Sequence, residues 1–155
     1  MAKADVVGSL IAEELGNGAY DKVIVFAHHR NVIVELVDNL SEFGCVSITG
    51  ATSPAIRQAN IDRFQTDPTC RVFIGQIQAC ATAVTLHAAS QVVFVEASWT
   101  PSDNAQAAKR AHRIGQTRPV IVRMFGLAGS IDEAVTRVLA RKSQQINELL
   151  EGAAA

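Results

Sequence analysis

"KVIVFAHHRNVIVELVDNLSEFGCVSIT" occupies residues 22–49, and its two changes of rhythm decide the fold. "KVIVFA" (22–27) is a short apolar run, "RNVIVELVDNLSEF" (30–43) returns its apolar residues at helical spacing, and "CVSIT" (45–49) is a second strand-like run. Strand, helix, strand is the unit of a parallel sheet, because the helix carries the chain back to start the next strand in the same direction. The alternation extends both ways. Residues 4–15 (ADVVGSLIAEEL) read as a helix, and Ser53-Pro54 places a cap and a first-turn proline before "AIRQANIDRF". "RVFI" (71–74), "QVVFVE" (91–96) and "PVIVRMF" (119–125) supply three more strands. Ser130 and Glu133 have the spacing of a capping box, opening a last helix that turns Ile131, Val135, Val138, Leu139, Ile146, Leu149 and Leu150 inward. The expectation is one α/β domain with a mostly parallel sheet of five to six strands and helices on both faces.

At 155 residues the chain has room for a real core, and its apolar content of 48% suits buried strands. No apolar run approaches membrane length, and "MAKADVVGSL" lacks the basic and apolar regions of a secretory signal. Cys45, Cys70 and Cys80 form no CxxC pair and are odd in number, which predicts reduced thiols and a cytoplasmic setting, nuclear in a eukaryote. A net charge of −1 excludes coating nucleic acid by bulk attraction. Lys109, Arg110, Arg113, Arg118 and Arg123 are nonetheless five of the fourteen basic residues. Any anion site is local.

That cluster begins in "QAAKRAHRIGQ" (106–116). Thr100-Pro101 predicts an N-cap and first helical residue, and Gly115 a left-handed end, so the segment between reads as helix. Gln106, Arg110 and Arg113 then stack at i, i+4 and i+7, opposite a slim side of Ala105, Ala108 and Ala111. Two guanidiniums beside an amide suit phosphate, whose oxygens match the arginine fork. The plain alternative is a solvated face with salt bridges, Asp103 being a partner. Ligands of parallel sheets gather beyond the carboxyl ends of strands, which directs attention to the loops after residues 27, 49, 74 and 96. "VVFVE" ends there in Glu96, read either as a metal-binding carboxylate or simply as a loop carboxylate. No GxxxxGK[ST] phosphate loop is present, and "GNGAYD" (16–21) fails GxGxxG. His28, His29, His87 and His112 show no zinc spacing, so no metal ligand is expected.

"QAAKRAHRIGQ" resembles the sixth motif of superfamily 2 helicases in the form typical of Swi/Snf-type DNA translocases. "VVFVEASWTPSDNAQ" is similar to the segment before that motif, with Trp99 and Pro101 in place. "ITGATSPAIRQANIDRFQTDP" (48–68) resembles the family's TG segment through Thr49, Gly50, Arg57, Asp62, Arg63 and Phe64, and "KVIVFAHHR" its fourth motif. The resemblance runs in order from about residue 20 to 140, with "FAHH" and "VVFVE" nearest the annealing-helicase branch. It implies a single RecA-like lobe over residues 1–155, with a core at about 20–150. This is the second lobe of a two-lobe engine whose first lobe brings the phosphate loop. ATP with Mg²⁺ is then the cofactor, held mainly by the first lobe, and the partners are that lobe and double-stranded or branched DNA, with no membrane.

By the same resemblance, Arg110 and Arg113 are catalytic arginine fingers, and Gln106 and Glu96 join them at the nucleotide. His29, Arg30, Thr49, Gly50 and Gln76 form part of the DNA track, contacting phosphates without reading bases. The chain departs from the pattern at several places. Ala81 and Ala83 stand at expected glycines of the fifth motif, Thr100 replaces an asparagine, Glu96 an aspartate, and Gln76 a small hydroxyl residue. Two other readings stand beside the translocase lobe. One is the lobe of a strand-separating DNA or RNA helicase, for which "HRxGR" rather than "HRIGQ" is the usual form. The other is a stand-alone, non-catalytic module binding nucleic acid or protein.

Overall fold

The apolar runs pair side by side as strands in the computed structural model, which describes residues 3–80, 84–98, 100–111 and 116–126. In chain order these are α1 (Lys3–Gly16), β1 (Val23–Ala27), α2 (Arg30–Leu40) continuing into a 3₁₀ turn (Ser41–Phe43), and β2 (Cys45–Ile48). α3 (Pro54–Thr66), β3 (Val72–Gln76), β4 (Gln91–Phe94), α4 (Pro101–Ala108) and β5 (Ile121–Met124) follow. The helix expected from Ser130 lies outside the described residues, as do Trp99, Ala81, Ala83 and Arg113. Five parallel strands form one sheet in the order β2-β3-β1-β4-β5.

Alternation along the strands sorts the core into two layers. Val23, Val25, Ala27, Val72, Ile74 and Val93 pack with Val7, Ile11 and Leu15 of α1 and Ile33, Leu36 and Leu40 of α2. Ile24, Phe26, Phe73, Val92 and Phe94 face the other way, onto Ile61 and Phe64 of α3 and Ala107 of α4. Each large side chain so buried contributes about 1.5–3 kcal/mol, which makes the sheet the main source of stability. The rings of Phe26 and Phe94 lie 5.3 Å apart and those of Phe64 and Phe73 5.6 Å, at tilted angles that aromatic quadrupoles favour.

β5 is an edge, with Ile121 and Val122 exposed, and a polar clamp ties it to α1. Arg123 donates to both carboxylate oxygens of Glu14, each at 2.7 Å, and the Tyr20 hydroxyl donates to the same carboxylate at 2.5 Å. The Arg123 guanidinium holds the Glu14 carboxyl below its ordinary range against the opposing effect of burial.

The start of β2 needs a glycine. Gly44 has φ +74°, and its carbonyl accepts the amides of Arg71 and Val72 at 2.9 and 3.0 Å, which sets β2 against β3. A Cβ there would lie 2.0 Å from the Thr69 carbonyl oxygen, which is backbone and cannot swing aside. Gly44→Ala should therefore cost about 3 kcal/mol, from the disfavoured φ together with overpacking. Chemical denaturation will read this as a lower midpoint at unchanged slope. A loss below about 1 kcal/mol, the ordinary size for a point change, would contradict the account.

Candidate functional site

The chain runs from β1 outward to β2, back to β3, and then across β1 to β4, so the strand order reverses beside β1. The loop after β1 leads to α2 on one face, while that after β4 leads to α4 on the other. A crevice at the carboxyl ends is the necessary result. Ala27 pairs with Gln76, Ile48 with Gly75, and Phe26 with Phe94, so the strands finish level and their loops emerge side by side.

Three side-chain links join those loops in the order of the strands. Gln76 accepts the Gly50 amide at 2.9 Å and donates to the His28 carbonyl at 3.2 Å, bridging the ends of β2, β3 and β1. Glu96, just past β4, accepts the amides of His28 and His29, both at 2.9 Å, and lies 2.9 Å from His29 Nδ1. Burial raises the Glu96 pKa, but these bonds from His29 and His28 outweigh it and hold the carboxyl below its ordinary 4.5. Glu96 thus fills the anion position just ahead of α2, where a helix N-terminus favours negative charge.

This rearranges the roles expected of individual residues. Glu96, expected at the nucleotide, has both oxygens engaged by the His28–His29 turn. Nor is the Gly50 amide bare, since it already donates to Gln76. The Thr49 amide bonds the Thr52 hydroxyl at 2.9 Å, and the Thr49 hydroxyl accepts from Ala51 at 3.3 Å while keeping its own proton to donate. His29 and Arg30 point differently: the His29 side chain is 66% exposed, and Arg30, the first residue of α2, lines an open groove of 560 Å³ with Gly50, Ala51, Gln76, Gln78 and Ala79. Three of the expected track residues therefore share one groove, with His29 and Thr49 adjacent in the chain to its lining.

The arginine segment departs from the single long helix expected of it. α4 ends at Ala108, because its hydrogen bonds tighten from Lys109→Ala105 at 3.0 Å to Arg110→Ala107 at 3.1 Å and Ala111→Ala108 at 3.2 Å. The Gln106 carbonyl, left without the Arg110 amide, is taken instead by Arg110 Nε at 3.1 Å. Arg110 is consequently buried, while the Gln106 and Lys109 side chains are exposed. The buried side is Asn104, Ala107 and Ala111; of the expected Ala105, Ala108 and Ala111, Ala111 is buried, Ala108 packs partly buried against the core, and Ala105 is exposed. Asn104 explains the shift: it accepts the Ser98 amide and donates to the Ser98 carbonyl, both at 2.9 Å, so it must face inward. Thr100 holds the N-cap position without a side-chain bond. Its amide donates to Ser98 Oγ at 3.2 Å, and that hydroxyl donates to Asp103 at 3.1 Å.

Behind α4, Gly75 leaves space for a buried thiol, since a Cβ there would sit 2.7 Å from Cys80 Sγ. Burial pushes the Cys80 thiol up to about 12 against the pull of Arg57 and Arg110, which makes it inert as a nucleophile. Arg57 of α3 donates to the Ala79 carbonyl beside it. Sequence reasoning missed the structural weight of Asn104, Gln65 and Gln116. For Asn104 a signal existed, a polar residue at i, i+3 and i+7 with two alanines; for the glutamines none did.

Comparison with known proteins accounts for this arrangement. Residues 3–115 match the helicase conserved C-terminal domain. The chain is 38% identical over 130 residues to a SWI/SNF-related matrix-associated actin-dependent regulator of chromatin subfamily A-like protein 1 of Drosophila melanogaster, covering 83% of this chain and 17% of that protein. It is 36% identical over 156 residues to the DNA annealing helicase and endonuclease ZRANB3 of Homo sapiens, covering 98% of this chain and 14% of that protein. The crystal structure of the C-terminal part of the Fun30 ATPase domain superposes with a TM-score of 0.80 at 29% identity, over 88% of this chain and 44% of that one. The chain therefore spans about a sixth of the length of the two curated relatives, and its five-stranded parallel sheet with helices is the RecA-like fold. This chain belongs to the helicase conserved C-terminal domain family, as a lobe of the SWI/SNF-related type.

Proposed function

We propose that this lobe supplies arginine fingers and part of the DNA track to an ATP-dependent, Swi/Snf-like double-stranded DNA translocase. The observation that carries the reading is the rim groove, where Arg30, Gly50 and Gln76 converge at the carboxyl ends of β1, β2 and β3. Arg30 lines it as a donor toward phosphate oxygens, with the exposed His29 ring and the Thr49 hydroxyl next to its lining in the chain. None reads a base edge, so the binding is sequence-independent.

ATP with Mg²⁺, held mainly by the other lobe, supplies the phosphoryl group that is transferred. The part taken by this chain is charge in a fixed place. One N–H of Arg110 is spent on the Gln106 carbonyl, which orients the guanidinium before any ligand arrives. An arginine finger is worth about 10³–10⁵ in rate in analogous enzymes, because it meets charge that grows on the equatorial oxygens.

In the full two-lobe protein, Arg113→Ala and Arg110→Lys should each lower DNA-stimulated ATP turnover by about 10²-fold or more, with much smaller changes in nucleotide affinity. Lys109→Ala is the control, since that side chain is exposed beside the buried Arg110. Equal losses at Lys109 and Arg113, in variants melting at the wild-type temperature, would show that general positive charge matters rather than aimed fingers.

DNA affinity should fall steeply with salt, at a log–log slope of about −0.9 for each phosphate neutralised. Arg30→Ala should flatten that slope by about one such step, equally for unrelated sequences. A salt-independent affinity, or strong preference for one sequence, would remove the track from this surface.

Glu96 offers a separate test by pH. Its carboxyl titrates lower in the folded chain than its ordinary 4.5, so its stabilisation is complete above that value and fades as pH falls through the depressed pKa. Glu96→Gln should weaken the fold by about 1 kcal/mol near neutrality, because its one oxygen can still accept both histidine amides but lacks the charge that strengthens those bonds. It should also reduce the slope of stability against pH below about 4.5. Unchanged acid unfolding in this variant would mean the carboxylate does not hold the turn.

A further inference from the structure

Gln116 makes more side-chain hydrogen bonds than its place in "HRIGQ" would suggest. Its Nε2 lies within donating distance of three carbonyls, Ala89 at 2.8 Å, His87 at 3.1 Å and Ala111 at 3.2 Å, its two N–H groups being shared among them. Its Oε1 accepts the amides of Thr117 and Arg118, both at 3.1 Å. The bond to Ala111 closes the two ends of the stretch that contains Arg113. Those to His87 and Ala89 fasten the closed ends to the turn at residues 86–89.

The same turn is gripped from two other sides. The Leu86 amide donates to the Arg110 carbonyl at 2.8 Å, so the turn also fixes the backbone of Arg110 itself. Gln65 of α3 accepts the Ala88 amide at 3.0 Å, and its Nε2 lies 3.1 Å from a ring nitrogen of His87. α3 begins just after the Thr49–Gly50 loop that opens onto the rim groove. A continuous set of bonds therefore runs from α3 through the 86–89 turn to both flanks of the arginine segment.

We propose that Gln116 is a positioning residue: it holds Arg110 in its working place by locking the neighbouring Ala111 to the 86–89 turn, which itself binds the Arg110 carbonyl. The inference rests on the finger roles proposed above. An amide suits the task because it presents two N–H groups to clustered carbonyls and an oxygen to two amides, with no net charge. Arginine at this position, as in the "HRxGR" form, has no acceptor and would leave the Thr117 and Arg118 amides unserved. This accounts physically for glutamine here.

The test uses the full two-lobe protein with Gln116→Leu, Gln116→Glu and Thr117→Ala. The last trims an exposed side chain and keeps the amide that Gln116 accepts. Gln116→Leu should lower kcat for DNA-stimulated ATP hydrolysis about ten- to a hundredfold, the scale of a misplacement near 1 Å. KM for ATP should stay within about twofold, since ground-state contacts belong mainly to the other lobe. Hydrogen exchange of peptides covering residues 84–90 should quicken in parallel. Gln116→Glu, which keeps the oxygen and loses the donors, should show the same split and carries the test if the leucine variant does not fold. Thr117→Ala should leave kcat within about threefold. Faster exchange with kcat preserved would overturn the inference, reducing Gln116 to a staple without influence on the arginines. Parallel losses in kcat and KM, or an equal loss in Thr117→Ala, would overturn it too. A wild-type protein without DNA-stimulated turnover would instead refute the translocase reading, and the exchange data would still show whether the lock exists.

Discussion

A parallel sheet delivers all its loops to one end, and in this chain four of them leave level with one another in differing directions. Their backbone groups lose the ladder at that point and must find partners elsewhere. The Gly50–Gln76–His28–Glu96 chain answers that requirement, passing from β2 through β3 and β1 to the end of β4. Everything attributed to the rim depends on it. Without Glu96 the histidine turn ahead of α2 has two amides to satisfy; without Gln76 the loops after β1 and β2 are unlinked.

The same solution changes what the rim has left to offer. The amides of His29 and Gly50 are already donating, so the side chains of Arg30 and His29 are what the proposed track has to offer an anion. A second consequence concerns charge. The chain is slightly acidic, with a net charge of −1, and the Glu96 carboxylate is held by donors from the His28–His29 turn, so any attraction for an anion at the rim has to come from local side chains.

The arginine-bearing turn is built on a comparable economy of donors and acceptors. α4 is short because Asn104 is drawn inward by Ser98 at its start, and because its end tightens so that Ala111 reaches the core. Arg110 replaces its own amide on the Gln106 carbonyl, and its carbonyl serves the 86–89 turn. The exposed edge strand β5, clamped to α1 by Arg123 and Glu14, then closes the sheet on that side.

Apolar rhythm alone determined the order of strands and helices through residue 125, their parallel pairing, and the cap at Ser53, whose side chain accepts from Ile56. These are local matters, governed by periodicity and by residues a few positions apart. The motif order likewise pointed to the helicase lobe, because "QAAKRAHRIGQ" and its companions lie in sequence. What no local pattern contained was the end of α4 at Ala108, the capture of Glu96 by the His28–His29 turn, and the five bonds of Gln116. Each links residues that are far apart in the chain or competes with helix geometry for the same carbonyl. Such choices are made only when the layers have packed, since the side chain that wins is the one whose distant partner has been brought within 3 Å or so.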